Sequence, residues 1–393
     1  MNLLEQALDQ KSEIVALRRD LHQHPELGFK EVRTSGIVAQ TLTDLGLEVM
    51  TGIAETGVIG LLEGKSKSPV LLLRFDMDAL PIDEKTGASY ASKTPGVMHA
   101  CGHDAHTAIG VGAARLLAER RKELPGTIKF VFQPAEEGDG GAARMVADGV
   151  LENPKPNYVM GLHVWNEMRV GEYGLPPGPM MAGAELFNVR ITGKGGHGAS
   201  PHKSQDPVVA AAHIVTALQT ITSRNLNPLD SAVLSIGEIK AGSAFNIIPE
   251  EAILTGTIRG FKTDVLNLVK DRFSTITTDI ARAMGCEAEI NLLQVTYPVD
   301  NDAELTELMA GVIRSIDTNA KINTTFQTMG SEDFSLMMRD IPGCFLMVGS
   351  ANPDQGLDYG HHHPKFDIDE ACLPNAVAII AQGAIEILRN HLM

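Results

Sequence analysis

The sequence predicts an α/β fold: a mostly parallel sheet interrupted by an inserted α+β layer of the ferredoxin-like kind. Two observations carry this. Short apolar runs with the character of buried strands alternate with helical segments, a pattern that calls for a mostly parallel sheet covered on both faces. After the Pro/Gly-rich stretch Gly174-Leu175-Pro176-Pro177-Gly178-Pro179 the order becomes βαββαβ, a unit that folds as a separate layer. A chain of 393 residues is too long for one ordinary core, so two domains are expected.

The elements follow in order. Leu4, Leu8, Ile14, Val15, Leu17 and Leu21 recur at helical spacing and predict an opening helix over 3–22, which His24-Pro25-Glu26 closes. A second helix is expected near 33–45. Buried strands are predicted at 58–62, 70–75, 128–132 and 158–162, with a helix over 107–121 between the second and third. The inserted layer reads strand 185–192, helix 206–223, strand 231–240, strand 251–260, helix 263–284 and strand 287–293. The chain then returns to helix-strand alternation and ends in a helix over 373–388. The larger domain is therefore discontinuous, 1–181 and 296–393, with 182–295 inserted as a lid.

Composition excludes several classes. At 44% hydrophobic and 21% charged residues the chain sits in the globular range, and no run approaches the roughly 20 apolar residues of a membrane span, so no membrane association is expected. A formal charge of −16 disfavours nucleic acid and anionic membranes as partners. The opening Met1-Asn2-Leu3-Leu4-Glu5 has no basic stretch followed by an apolar core, which predicts a cytoplasmic location. The four cysteines, Cys101, Cys286, Cys344 and Cys372, are too few for a disulfide framework in so long a chain and agree with a reducing compartment.

Ligand-type residues fall where predicted strands end: Asp76-Met77-Asp78, Glu136-Glu137 and His163. Open α/β sheets bind ligands at the carboxyl ends of their strands. In His99-Ala100-Cys101-Gly102-His103-Asp104-Ala105-His106, Cys101 and His103 share a side of an extended segment but point about 200° apart on a helix. They are therefore expected in the loop before the helix at Thr107, with Asp104 as its cap. The candidate ligand set is Cys101, His103, Glu137, His163 and one of His361, His362 or His363. Five ligands exceed one tetrahedral ion and suit two divalent ions sharing a bridge, for which a Cys101 thiolate is chemically suited. Thiolate and imidazole favour zinc, and manganese, cobalt or nickel fit the same set.

Asp76 and Asp78 can ligate directly or hold an imidazole through its second nitrogen; the second role is preferred. Neighbouring side chains in an extended segment point apart, so Glu137 can bind metal while Glu136 faces the bound water as general base. Gly193-Lys194-Gly195-Gly196-His197-Gly198 fails the spacing of a phosphate loop and reads as a flexible loop presenting His197. Asn246 and Arg259 add an amide and a guanidinium, the latter a fork that suits a substrate carboxylate and equally a surface ion pair. These residues together predict a metal-dependent hydrolase.

Seven motifs carry a resemblance that spans essentially the whole chain. They are Arg19-Asp20-Leu21-His22-Gln23-His24-Pro25-Glu26-Leu27, Asp76-Met77-Asp78-Ala79-Leu80-Pro81, Met98-His99-Ala100-Cys101-Gly102-His103-Asp104, Gln133-Pro134-Ala135-Glu136-Glu137-Gly138, Gly195-Gly196-His197, Asn246-Ile247-Ile248-Pro249 and Met329-Gly330-Ser331-Glu332-Asp333-Phe334. In this the chain resembles the N-acyl-amino-acid amidohydrolase branch of the dinuclear aminoacylase and carboxypeptidase G-like metallopeptidases. That branch includes hippurate hydrolases and plant auxin-conjugate hydrolases.

The resemblance implies that Cys101, His103, Glu137, His163 and His362 bind two metals, His362 because the family's last ligand sits two residues before a proline, here Pro364. It implies Glu136 as base and proton shuttle, His197 as a stabiliser of the oxyanion, often across a dimer, and Asn246 and Arg259 as holders of the substrate carboxylate. Carboxypeptidase-like relatives carry a His-x-Asp ligand motif where this chain has Asp76-Met77-Asp78, so ligation shifts to Cys101 and His103. The implied reaction is metal-dependent hydrolysis of the amide of a small N-acyl-L-amino acid, hippurate-like or N-acetylated. A dipeptidase or aminopeptidase using the same site is the alternative. The lid's edge strand and the cross-subunit role implied for His197 predict a homo-oligomer, a dimer or a tetramer.

Overall fold

Unbroken apolar runs become strands buried on both faces, and a regular in-out alternation becomes a sheet covered on one side only; the two larger sheets, of eight and four strands, show the two patterns. The computed structural model describes residues 2–390. Two units divide it. The first takes the chain up to Gly178, then Asp300–Phe326 and the chain from Asp333 on; the second takes Pro179–Val299 and Gln327–Glu332.

In chain order, the first unit begins with α1 (Leu3–Asp9), α2 (Lys11–Gln23), α3 (Val32–Asp44), β1 (Glu48–Ile53), β2 (Gly57–Glu63), β3 (Val70–Asp76), α4 (His103–Glu119), β4 (Thr127–Gln133), α5 (Gly141–Ala147), β5 (Tyr158–Arg169) and β6 (Glu172–Gly174). The second unit holds β7 (Gly183–Thr192), α6 (Pro207–Thr220), β8 (Ala232–Ala241), β9 (Glu251–Gly260), α7 (Thr263–Ala283) and β10 (Glu287–Thr296). The first unit resumes with α8 (Ala303–Ile316), β11 (Lys321–Asn323), β12 (Gly343–Ala351) and α9 (Cys372–Asn390).

The first unit's sheet is eight-stranded in the order β1-β2-β4-β3-β5-β12-β6-β11. Its centre is parallel, β4 to β3 to β5 to β12, while β1, β2 and β6 join antiparallel to their inner neighbours. All seven residues of β3 and of β4 are buried, which requires cover on both faces. Helices α1, α2, α4, α8 and α9 pack among themselves beside this sheet. Helix α9 is long and apolar enough to cross a membrane, but most of it is buried in the core, which accounts for its apolarity.

Four expectations about this unit change. The opening helix is two helices, because Gln10 closes α1 and begins α2. Helix α4 begins at His103, so His103 lies on the helix and only Cys101 in the loop. Between them Gly102 turns the chain at φ +90°, where a Cβ would lie 2.4 Å from Val164 Cγ2, so glycine is required twice over. Asp104 does not cap the helix, since Gly102 occupies that position and makes no side-chain bond. Strand β5 continues to Arg169 because β12 stays paired with it, so His163 lies inside the strand and not after it.

The second unit has the order β8-β9-β7-β10, antiparallel throughout, with both helices packed on the sheet and on each other. Along β7 burial alternates: Phe187, Val189 and Ile191 face the helices while Leu186, Asn188 and Arg190 are exposed. This unit is wider than the expected 182–295, starting at Pro179, ending at Val299 and including 327–332. The return segment is tied in by bonds from Thr328 N to Met180 O at 3.1 Å and from Ala182 N to Gly330 O at 3.0 Å. Those partners are about 150 residues apart, and no local periodicity reports them.

Candidate metal centre

Beyond the carboxyl ends of β3 and β4, at the start of α4 and on β5, the first unit gathers the predicted ligand types. Cys101, His103 and His163 present donor atoms within 4.8 Å of one another, as do Cys101, Glu137 and His362, so the two triads share the Cys101 sulfur. A third group, His103, Glu136 and Glu137, joins them. Cys101 Sγ lies 3.4 Å from His163 Nε2, and Glu137 Oε1 lies 3.2 Å from His362 Nε2 and 3.9 Å from His103 Nε2.

Local backbone strain sets several of these groups. Ala135, immediately before the paired glutamates, has φ +54°, and its N–H is held by the buried Glu31 carboxylate at 2.9 Å. His362 has φ +64°, with its N–H donated to Ala100 O at 2.8 Å, which fixes it beside Cys101. Left-handed conformations in residues other than glycine are costly and persist where surroundings dictate them.

Hydrogen-bond directions assign the ring protons. His163 Nδ1 lies 2.6 Å from Val164 O. A carbonyl only accepts, so Nδ1 carries the proton and Nε2 keeps its lone pair toward Cys101. His103 Nδ1 meets Asp78 Oδ1 at 3.1 Å, and the other Asp78 oxygen accepts from Glu137 N at 3.0 Å. Two atoms are left over: His103 Nε2 is buried without a hydrogen bond, and the buried Glu137 Oε1 has only the ion-pair contact with His362 at 3.2 Å, outside hydrogen-bond geometry. Orphaned buried polar atoms are rare, and a pair of them facing each other marks a place for a ligand.

The electrostatics agree with a cation. Asp76, Asp78, Glu136 and Glu137 surround the site, and Arg74 is the buried counter-charge, 2.6 Å from Asp76 Oδ2. Burial opposes ionisation of Asp76 and Asp78, yet Arg74 and His103 hold Asp76 well below the usual carboxylate range and His103 holds Asp78 below it. Burial would also deprotonate His103, but Asp76, Asp78 and Cys101 raise it well above its usual range. A positive charge at His103 Nε2 is thus what these surroundings favour. Burial, with help from Glu137, pushes the Cys101 thiol far up, a cost that coordination removes because a metal-bound thiol is deprotonated outright. The residues fit a soft divalent cation.

Behind the centre lie groups that the sequence reading did not select. Arg74 also reaches Gln133 Oε1 at 2.9 Å and Asp333 Oδ1 at 3.2 Å, and Gln133 Nε2 bonds Asp333 at 2.7 Å. The clue was a lone arginine inside the apolar run of β3. On α2 the buried residues are Ile14, Arg18, Leu21 and His22, so two ionisable groups occupy the apolar stripe. Both converge on one oxygen of Asp104: Arg18 Nε and His22 Nδ1 each lie 2.7 Å from Oδ2.

His22 makes a pH prediction. Burial and the adjoining Arg18 disfavour its protonation, but Asp104 and Glu84 outweigh them and raise its pKa from 6.5 to about 9. Tyr90 and His99 complete its surroundings. Because the folded pKa lies above the unfolded one, the stabilisation is full below pH 6.5 and is lost as pH rises through about 9. The loss is on the order of 3 kcal/mol. Denaturant unfolding of chelator-treated protein at pH 6.5 and 9.5 is expected to show this fall in the wild type and to lose most of it in His22→Gln. An equal fall in both would reject the assignment.

The remaining predicted residues belong to the second unit. His197 and Asn246 sit together on a short ladder in which Ile247 pairs with His197 and Gly198 N donates to Asn246 O at 2.8 Å. Both side chains are exposed. His197 Nδ1 accepts from Ala199 N at 3.0 Å, so its proton is on Nε2, an outward-facing donor. Arg259 on β9 is half-buried, with Nη1 donating to Met329 O at 3.0 Å and lying 3.4 Å from Ser331 Oγ.

Comparison with known proteins gives one consistent result. The model of the family described as Peptidase family M20/M25/M40 matches residues 72–386. An N-acetyl-L-cysteine deacetylase of Bacillus subtilis (strain 168) is 40% identical over 383 residues, covering 97% of this chain and 89% of that protein. IAA-amino acid hydrolase ILR1-like 4 of Arabidopsis thaliana is 39% identical over 382 residues, covering 95% and 86%. Among solved structures, a Bacillus subtilis protein described as a dinuclear metal binding peptidase from M20 family aligns with TM-score 0.84 at 35% identity, covering 96% of this chain and 98% of that one.

Proposed function

Because the chain belongs to peptidase family M20/M25/M40, we propose that it hydrolyses the amide bond of N-acyl-L-amino acids, hippurate-like or N-acetylated, releasing a carboxylic acid and a free amino acid. One observation carries the reading: two ligand triads share Cys101, with Glu136 beside them. The relatives' names support the substrate class, since one removes acetyl from N-acetyl-L-cysteine and the other hydrolyses IAA-amino acids.

Two divalent cations, zinc or manganese ahead of cobalt or nickel, would be held by Cys101, His103, Glu137, His163 and His362 and would supply the Lewis acidity that polarises a carbonyl and acidifies water. Asp78 holds the His103 ring in that role from behind, through Nδ1, while Asp76 Oδ2 lies 3.7 Å from its Nε2. Glu136, half-buried in its strained loop, takes a proton from the attacking water and returns it to the leaving amine. His197 offers its Nε2–H to the developing oxyanion, and Asn246 and Arg259 bind the substrate carboxylate.

The test is release of free amino acid from N-benzoylglycine and N-acetyl-L-cysteine by purified protein, with added zinc or manganese and with a chelator. Metal-dependent release from either supports the reading. Release only from dipeptides with a free amino terminus would replace it with a dipeptidase. Arg259→Ala is expected to raise KM for carboxylate-bearing substrates, lowering kcat/KM by roughly 10- to 100-fold, the worth of a charge-assisted hydrogen bond of about 1.5–3 kcal/mol. An equal loss on a simple N-acyl amide lacking the carboxylate would reject that role.

The reading includes a cytoplasmic homo-oligomer, a dimer or tetramer built through the second unit. Four unpaired cysteines support the compartment. The edge strand β8 and the exposed Leu186, Ile239, Phe245 and Leu293 support the interface. Sedimentation of the purified protein measures the assembly.

A further inference from the structure

His106 belongs to the same eight-residue segment as Cys101 and His103, and no role has yet been given to it. Chemistry alone would group it with Asp76 and His103, whose donor atoms lie within 4.8 Å of its own. Bond directions separate it from the ligands.

The Val164 amide reaches His106 Nε2 at 2.9 Å. An amide N–H only donates, so Nε2 accepts and the ring proton sits on Nδ1, 2.5 Å from Asp76 Oδ1. Both nitrogens are engaged, and no lone pair remains for a cation. His163, the residue before Val164, is the opposite case: its Nδ1–H is given to the Val164 carbonyl and its Nε2 turns an unprotonated lone pair to the Cys101 sulfur at 3.4 Å.

The sheet explains why a side chain fills this position. Pairing of β5 with β3 runs from Tyr158 opposite Leu71 to Gly161 opposite Arg74 and stops. Past that point the Val164 N–H has an imidazole as acceptor where a strand would otherwise provide a carbonyl. The fully buried His106 ring stacks on His103 with centroids 5.4 Å apart and meets His163 edge-on at 4.5 Å. Helix α4, which carries His103, is thereby tied to β5, which carries His163. Thr107 on the same helix adds a bond from Oγ1 to Asp76 O at 2.9 Å.

We propose that His106 is a positioning residue, a peg between α4 and β5 that sets the separation of the His103 and His163 imidazoles. The inference rests on the reading of Cys101, His103 and His163 as ligands. It does not depend on the substrate, because its test measures metal binding.

Full-length, chelator-stripped protein is titrated with zinc ion against a chromophoric chelator, with apo-protein thermal unfolding and the thiolate-to-cobalt absorption recorded in parallel. His106→Leu removes both bonds. His106→Asn keeps the donor to Asp76, and His106→Gln keeps the acceptor for Val164. The expected result is an unchanged number of zinc equivalents at saturation, a 10- to 100-fold weaker affinity in the leucine variant, and partial recovery with a cobalt band near that of wild type in the amide variants. Loss of one equivalent would make His106 a ligand and overturn the proposal. So would a lower apo unfolding temperature with affinity unchanged. If the leucine variant does not fold, affinities within about twofold of wild type in both amide variants also overturn it. Wild-type protein that takes up no zinc removes the ligand reading and the proposal together.

Discussion

Glu136→Gln is expected to lower kcat by about 10²- to 10⁴-fold, with zinc content unchanged and KM little altered. The substitution keeps the shape and removes the ability to take a proton. Glu136 sits in a turn whose form is fixed on both sides, by Ala135 at φ +54° before it and Gly138 at φ +96° after it, and its carbonyl accepts from Gly138 N at 2.6 Å. The loop therefore has reason to survive the change. Its neighbour provides the contrast: Glu137 Oε1 is the orphaned buried atom facing His103, so Glu137→Gln is expected to weaken metal binding first and turnover as a result. Steady-state kinetics and metal analysis on both variants separate base from ligand. Turnover within about tenfold of wild type in Glu136→Gln would overturn the base assignment.

Asp104→Asn is expected to destabilise the protein by about 3–5 kcal/mol, the cost of leaving a buried charge without its partner. Asp104 and Arg18 are both fully buried, and Asp104 Oδ2 takes the bonds of Arg18 and His22 together. Arg18 would keep Asp367 at 2.8 Å and Glu370 at 3.3 Å, and Glu370 is already engaged by Arg19 at 2.6 Å. A loss of this size is a large share of a typical stability of about 5–15 kcal/mol. It appears as a lower denaturant midpoint at unchanged slope, measured without metal so that binding does not mask it. A change under about 1 kcal/mol would show that the Arg18 charge is neutralised well enough by the others.

Much of this molecule is legible in its sequence because the signals are local. The unbroken runs of β3 and β4 and the alternation in β7 reflect burial on both faces or one, and their expected ranges lie within a few residues of the observed ends, whereas β1, α5, α8 and β12 carry no range in the sequence reading. Missed boundaries have tertiary causes. His163 is carried inside β5 by the continued pairing with β12, and Asp104 reads as a cap because acidic residues near a helix start usually interact there. Its true partners lie 86 and 82 residues away, on the stripe of α2.

By itself the sequence determined which chemistry is present: a thiol, imidazoles and paired carboxylates near strand ends, and a βαββαβ insertion between two parts of a larger domain. Residue type sets what an atom can bind, and local periodicity sets where the backbone can go. Only the tertiary structure decided which nitrogen of each imidazole is bare, that His163 keeps a lone pair while His106 keeps none, that Arg18 and Arg74 are buried counter-charges, and that residues 327–332 pack with the second unit. A hydrogen bond's direction depends on what stands opposite, and here that is a backbone or side-chain group brought from a distant part of the chain by packing.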